Sequence, residues 1–93
     1  MYYLTNTYML DIKKIKQVLW WIKNEKDFEN ILKVLFTEKE IIDFSDRIDI
    51  LKSLKNWNPQ REIAKELWVS ITTVTRWNRF FKENEKLVKK YIN

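Results

Sequence analysis

Residues 60–79, Q-R-E-I-A-K-E-L-W-V-S-I-T-T-V-T-R-W-N-R, have the spacing of a helix-turn-helix. Ala64 lies where the first helix of such a motif passes close to the second, and its small side chain allows that approach. Ser70 has the hydroxyl side chain that caps a helix N-terminus, so a second helix is predicted over 71–81. Because the small residue, the turn and the cap occur at the required offsets together, a helix-turn-helix is favoured over an ordinary amphipathic helical hairpin.

The start of the first helix and the turn carry further signals. Pro59 has a fixed φ and lacks an N–H, which suits the first position of a helix, and Asn58 before it is the predicted N-cap. The turn of the motif usually contains glycine, because one residue there takes a positive φ that a Cβ makes costly. Trp68 occupies that position. We therefore expect Trp68 to lie in an unfavourable backbone conformation.

The exposed face of the second helix is predicted to contact DNA. It begins with short hydroxyl and apolar side chains, which suit base edges and thymine methyl groups. The basic side chains that follow, including Arg76, suit phosphates. The DNA-binding residues predicted on this helix and beside it are Ser70, Ile71, Thr72, Thr73, Thr75, Arg79 and Lys82.

Length and charge agree with this interpretation. Ninety-three residues are enough for one domain, 1–93, with a modest core. The net charge is +5, and residues 1–59 hold ten Lys or Arg against nine Asp or Glu, whereas residues 60–93 hold eight against four. The basic excess thus lies on the motif and the residues after it, as expected for binding to double-stranded DNA.

The composition also argues against several other classes of protein. The chain has no cysteine and no histidine, which removes the usual ligands of zinc, a thiol nucleophile and an imidazole base. Acidic residues are scattered among lysines at helix-surface spacing, so neither a catalytic nor a metal site is predicted, and the protein is not expected to be an enzyme. The uncharged run Gln17–Ile22 is too short to span a membrane, and no signal peptide is evident. We expect the protein in the cytoplasm, on the nucleoid.

The hydrophobic periodicity predicts an all-α fold of about six helices. Asn24 is a predicted N-cap, and T-E-K-E at 37–40 is a capping box. Strand signals are absent from the pattern. Besides the two helices of the motif, the expected segments are a frayed lead over 1–8, helices over 10–23 and from Asn24 past Leu35, a long helix from the capping box to about Asn56, and a final helix over 83–91.

The apolar side chains exceed what one small bundle can bury. The first helix carries Ile12, Ile15, Leu19 and Ile22 on one stripe, and the second carries a similar stripe. A two-fold homodimer built mainly by residues 10–56 would bury both stripes. Such a dimer also places two recognition helices about one turn of DNA apart.

The stretch from Val34 to Arg79 resembles the Trp repressor superfamily. The matching pieces are V-L-F-T-E-K-E at 34–40, S-D-R at 45–47, P-Q-R-E-I-A-K-E-L at 59–67 and I-T-T-V-T-R at 71–76. This resemblance implies an intertwined all-helical dimer that binds operator DNA and represses transcription. It also implies DNA contacts by Gln60, Arg61, Ile71, Thr72 and Thr75.

In tryptophan-sensing members of that family, two arginines enclose the indole of bound L-tryptophan. The resemblance places Arg47 and Arg76 at those positions, with Thr37 and the backbone of residues 34–36 nearby. No cofactor is then required, and L-tryptophan or another small effector is the expected corepressor. Both arginines also occur in an uncharacterised branch of the family, so a structural or phosphate-pairing role is an equally weighted alternative. Trp77 follows Arg76 and is expected to project toward the same cleft.

Three tryptophans stand at positions where the family often has glycine: Trp57, Trp68 and Trp77. The chain has five tryptophans and no glycine, whereas average usage predicts roughly six glycines in this length. Some bacterial lineages decode UGA as glycine, and translating such a gene with UGA as tryptophan would give this composition. Most or all of the five, including Trp20 and Trp21, are therefore predicted to be glycine in the native protein, against the alternative that the family tolerates aromatic residues here.

Two other functions remain open at this point. The I-A-K-E-L and T-V-T-R-W segments are also similar to transposase-associated helix-turn-helix modules, although that alternative leaves residues 37–47 unexplained. The second alternative is a helical dimer that has lost DNA binding and acts through protein contacts.

Overall fold

The computed structural model describes residues 2–93, with side chains from Thr7 onward, and these residues form helices without strands. The predicted all-α class is confirmed. The helices are α1 (Tyr2–Leu19), α2 (Glu25–Leu35), α3 (Glu38–Lys55), α4 (Gln60–Leu67), α5 (Ile71–Glu83) and α6 (Glu85–Tyr91).

The chain divides into two compact units, residues 1–37 and residues 38–93. The first unit contains α1 and α2, and it corrects the prediction of a frayed lead over 1–8. Helix α1 already begins at Tyr2, because no glycine or proline interrupts the segment, and it ends at Leu19 instead of Lys23. Met1 lies outside the described residues. That one domain spans the chain stays a prediction.

Helix α2 begins where its capping residue predicts. The side chain of Asn24 accepts a hydrogen bond from the Asp27 N–H at 2.9 Å, which satisfies one of the N–H groups that the first turn leaves unpaired. Glu25 and Asp27 in the first turn add negative charge at the positive end of the helix dipole. The apolar stripes of α1 and α2 contain no residue that is buried within the single chain.

The core of the second unit is formed by side chains from α3, α4, α5 and α6. Helix α3 packs against the other three. Its buried residues come from its second half, whereas the predicted apolar positions Ile41, Phe44 and Ile48 are exposed in the single chain. The core consists of Ile50, Leu54, Ile63, Val74, Phe81 and Val88.

The C-terminal helix is tied to α3 by a side-chain contact. Lys55 Nζ donates a hydrogen bond to the carbonyl oxygen of Ile92 at 3.0 Å. A cation in the last turn of α3 therefore reaches the residue that follows α6. Together with the buried side chain of Val88, this contact holds α6 against the rest of the unit.

The start of α4 differs by one residue from the prediction. Pro59 has ψ 141°, which is extended, so it is the N-cap and Gln60 is the first helical residue. Asn58 is therefore not the N-cap, and no side chain caps this helix. Proline still suits the position, since an N-cap N–H has no partner within the helix.

Helices α3 and α4 both end in a left-handed residue, and in both cases that residue is tryptophan. Trp57 has φ 64° and Trp68 has φ 56°, and no other described residue has a positive φ. After α3, the N–H groups of Trp57 and Asn58 bond to the carbonyls of Leu54 and Ser53. After α4, the Val69 N–H bonds to the Ala64 carbonyl at 3.1 Å. Glycine is the usual residue at such helix ends, and the positive φ predicted for Trp68 is confirmed.

Candidate DNA-binding surface and effector cleft

The N-terminus of α5 is held by its capping residue. Ser70 Oγ accepts a hydrogen bond from the Thr73 N–H at 3.0 Å, and it lies 2.8 Å from Thr73 Oγ1, with which it shares a second one. Thr73 is half-buried, not exposed as the pattern predicted. These two hydroxyls stabilise the helix start and so fix where the exposed side chains of α5 point.

The two helices of the motif are joined on their exposed side. Thr75 Oγ1 donates a hydrogen bond to Gln60 Oε1 at 2.9 Å, which links α5 to the first residue of α4. Ile71 and Thr72 in the first turn of α5 are exposed. The structure thus brings Gln60 and Thr75, predicted separately, into direct contact.

Basic side chains flank this surface. Arg61, Arg79 and Lys82 are exposed. Arg79 Nε lies 3.4 Å from Glu83 Oε1, four residues later on the same helix. Such an exposed pair contributes little stability, and the other N–H groups of the guanidinium are available to an anion.

A cleft lies between α3 and the start of α5. It contains both arginines that the resemblance singles out, and its volume is about 290 Å³. The guanidinium of Arg47 faces the Trp77 ring, as the projection of Trp77 toward this cleft predicts. The lining residues are Asp43, Asp46, Arg47, Ile50, Val69, Ser70, Thr73, Arg76 and Trp77.

Sequence reasoning missed four of these lining residues. Asp43 and Asp46 precede Arg47 on α3 and bring carboxylates to the cleft, while Ile50 and Val69 add apolar surface. Asp46 and Arg47 lie three and four residues after Asp43 on a helix, and this spacing was the available signal, since it makes both of them neighbours of Asp43 on one face. Thr37, the fourth predicted effector residue, precedes α3 in the other unit, and its role stays a prediction.

Two general features of the described residues bear on the class of protein. No helix among them is long and apolar enough to cross a membrane. Within residues 2–93, no group of three or more acidic side chains is arranged to hold a metal ion.

An all-α chain whose α4 and α5 are joined by a short turn, with a capped and exposed second helix, is a helix-turn-helix protein. Comparison with known proteins narrows the class. The family described as Trp repressor protein matches residues 11–93, and the chain belongs to that family. It is a family of transcriptional repressors and not of enzymes.

Curated relatives match a shorter stretch. Trp operon repressor homologs of three strains of Xylella fastidiosa, M23, Temecula1 and 9a5c, are each 47% identical to the chain over 51 residues. That stretch is 54% of this chain and 55% of each relative, so the chain spans about half the length of the curated relatives it matches. No solved structure gives a significant match.

Proposed function

We propose that the protein is a sequence-specific DNA-binding repressor of transcription that acts as a homodimer on the nucleoid. The observation that carries this proposal is the surface of α4 and α5. Ile71, Thr72 and Thr75 are presented there by the capped helix α5, and Gln60 at the start of α4 bonds to Thr75. Exposed cations lie beside them, within residues 60–93, which hold eight basic against four acidic residues. Short polar and apolar groups can contact base edges, and the cations can contact phosphates.

The two alternative functions predict different behaviour. A transposase-associated module leaves the family match outside the motif, from residue 11 onward, without explanation. A dimer that acts only through protein contacts would show no preference among DNA sequences.

The proposal is tested by selecting duplexes from a random pool and measuring their affinity in mobility shifts over a range of salt concentrations. Enrichment of a common sequence, with an affinity that falls steeply as salt rises, is the expected result. Equal weak binding to all duplexes, or none, would favour the protein-contact alternative.

The homodimer is supported by apolar side chains that the single chain leaves exposed. On α1 these include Ile12 and Ile15, and on α3 they include Ile42 and Phe44. Several large apolar side chains exposed on one helix, as on each of these two, are typical of a surface that a partner covers. Light scattering at micromolar concentration should therefore give twice the chain mass of 11.6 kDa, and a stable monomer would contradict the dimer.

The cleft between Arg47 and Arg76 is the proposed effector site, with L-tryptophan as the first candidate. Guanidinium groups stack on aromatic rings and pair with carboxylates. The Asp43 and Asp46 carboxylates add a place for an ammonium group. An amino acid with a planar side chain matches all three features. In this chain the Trp77 ring already faces Arg47.

We also propose that tryptophans of this sequence are glycine in the native protein. The proposal rests most firmly on Trp57 and Trp68. A residue with a Cβ in the left-handed region costs about 1–2 kcal/mol. An indole could offset that cost by burial, but Trp57 is 82% and Trp68 94% exposed. Neither ring gains appreciable burial. The Lys89 ammonium lies 5.9 Å from the centre of the Trp57 ring, but a cation–π contact at so exposed a site contributes only about 0.5–1 kcal/mol. Most of the strain at both helix ends therefore remains, and glycine would remove it.

At the other three tryptophans the backbone is not left-handed. Trp20 and Trp21 follow α1, and Trp77 lies within α5, so glycine at these positions rests on the composition and the family pattern. The coding sequence provides the test: UGA codons at 57 and 68, and tryptic peptides from the native organism with the mass of glycine, are expected. UGG codons at both positions would refute the assignment.

A further inference from the structure

The hydrogen bond between Thr75 and Gln60 is unusual for a threonine inside a helix. Such a hydroxyl commonly donates to a carbonyl three or four residues earlier on its own helix. Thr75 Oγ1 instead donates across the motif to Gln60 Oε1, at 2.9 Å and fifteen residues away. Both side chains lie where the sequence predicts contact with DNA.

The contact fixes which groups the pair can offer to a ligand. A hydroxyl has one hydrogen and a glutamine amide has one acceptor oxygen and two N–H donors. Once the Thr75 hydrogen and a lone pair of Gln60 Oε1 are engaged, Thr75 can only accept. The amide of Gln60 then extends its N–H groups away from Thr75.

We propose that Thr75 is a positioning residue that sets the polarity of Gln60, and that Gln60 Nε2 donates to an acceptor on DNA. This inference rests on the proposed function and deepens it. The acceptor is an oxygen or nitrogen of a base edge, such as a purine N7, or a phosphate oxygen. Thr75 is then not an independent contact to DNA, as the pattern of α5 alone suggests.

A double-mutant cycle on the full chain tests the coupling. Affinity for the selected duplex is measured for Gln60→Ala, Thr75→Val and the double variant, in the form, tryptophan or glycine, that binds more tightly. Each single variant should bind the selected duplex about 5- to 150-fold more weakly, the range of one good base contact. The double variant should bind the duplex almost as tightly as Gln60→Ala, because Thr75 acts only through Gln60. Thr75→Ser retains the hydroxyl and should restore affinity.

A matched control pair is Gln60→Ala with Lys82→Ala. Lys82 is exposed near the other end of α5, so its effect should be independent and the two losses should multiply. Thermal unfolding of every variant checks that each loss reflects binding, and little change is expected because Thr75 is exposed.

Modified duplexes identify the acceptor. Replacing single purines by 7-deazapurines removes N7, and methylphosphonates remove the phosphate charge at single positions. One DNA substitution, of either kind, should weaken binding by the parent chain but leave binding by the Gln60→Ala variant unchanged. The kind of substitution that does so assigns the acceptor to the base edge or to the phosphate.

The experiment separates a failure of the proposed function from a failure of this inference. If no duplex is selected by either form of the chain, the proposed function is wrong and this inference falls with it. If a duplex is selected but the losses from Gln60→Ala and Thr75→Val multiply, or no DNA substitution depends on Gln60, the inference alone is overturned.

Discussion

The guanidinium carbon of Arg47 lies 5.2 Å from the centre of the Trp77 indole ring. A cation at this distance from an aromatic face is attracted by the ring quadrupole. The indole also lies 5.1 Å from the Phe80 ring, three residues later on α5. One of the two arginines of the cleft is thus already in contact with an aromatic ring from its own chain.

Removing that ring should alter ligand binding. Trp77→Gly frees the face of Arg47, so we expect calorimetry to detect L-tryptophan binding in the variant and much weaker binding, or none, in the chain with Trp77. The control is Trp20→Gly, which removes the exposed indole of the residue that follows α1. This variant should bind L-tryptophan no better than the parent chain. Equal binding by the parent chain and Trp77→Gly would show that the ring does not compete for the cleft.

The tryptophan-to-glycine substitutions should change stability in opposite directions. Trp57→Gly and Trp68→Gly relieve left-handed strain and should each raise the free energy of unfolding by about 1 kcal/mol. Trp77→Gly places glycine inside α5, which costs about 1 kcal/mol in helix propensity, and it also removes a half-buried ring. Urea unfolding of the three variants measures these differences. A loss of stability in Trp68→Gly would refute the strain argument.

The core should depend strongly on a buried residue of α4. Ile63 is fully buried, and Ile63→Ala should lower the free energy of unfolding by about 2–5 kcal/mol, the sum of lost transfer energy and the cavity left behind. Ile71→Ala is the matched control, because the Ile71 side chain is 45% exposed and its removal should cost little. Denaturant titration compares the two, and similar losses would contradict the assigned core.

The cap of α5 should contribute to stability independently of DNA. Ser70→Ala removes the acceptor for the Thr73 N–H, and the expected loss is about 0.5–2 kcal/mol. Ser70→Asp retains an acceptor at the N-cap and should recover most of the loss. Thermal unfolding monitored by circular dichroism gives both values.

A phosphate contact should differ from a base contact in its salt dependence. Lys82→Ala should weaken binding to selected and random duplexes by the same factor, and should reduce the slope of log K against log salt by about 1. Thr72→Ala should lower affinity mainly for the selected duplex and leave the slope unchanged. If both variants showed the same loss of affinity for the two kinds of duplex and the same salt slope, the assigned roles of the two residues would be wrong.

Local signals in the sequence were sufficient for much of this fold. The amide of Asn24, the hydroxyl of Ser70 and the glycine-like position of Trp68 each act through neighbours within a few residues, so their effects follow from spacing alone. The sequence predicts that α4 begins at Pro59, one residue before its start at Gln60 in the structure, because proline suits both the N-cap and the first helical position. Helix α1 was predicted too short at its start, since polar and aromatic residues there weaken the pattern without breaking the helix.

Contacts between elements were harder to predict. The bond from Thr75 to Gln60 depends on how α4 and α5 cross, and periodicity carries no information on that crossing. The same holds for Val69, whose place in the cleft depends on the packing of α3 against α5. Ile12 and Ile15 are exposed in the single chain. The sequence attributes the burial of their stripe to a homodimer, and that stays a prediction.

If the two left-handed residues, Trp57 and Trp68, are glycines encoded by UGA, they restrict the hosts in which the gene gives a complete protein. If position 57 is encoded by UGA, a host that uses UGA as a stop codon releases a chain that ends at Asn56 at the latest, and at Leu19 if position 20 is also UGA. Even the longer fragment lacks Ile63, Val74, Phe81 and Val88, which are four of the six core side chains. Neither the fold nor the helix-turn-helix can form from it. Horizontal transfer into such a host would deliver a gene without a working product, so the protein could function only in lineages that share its decoding.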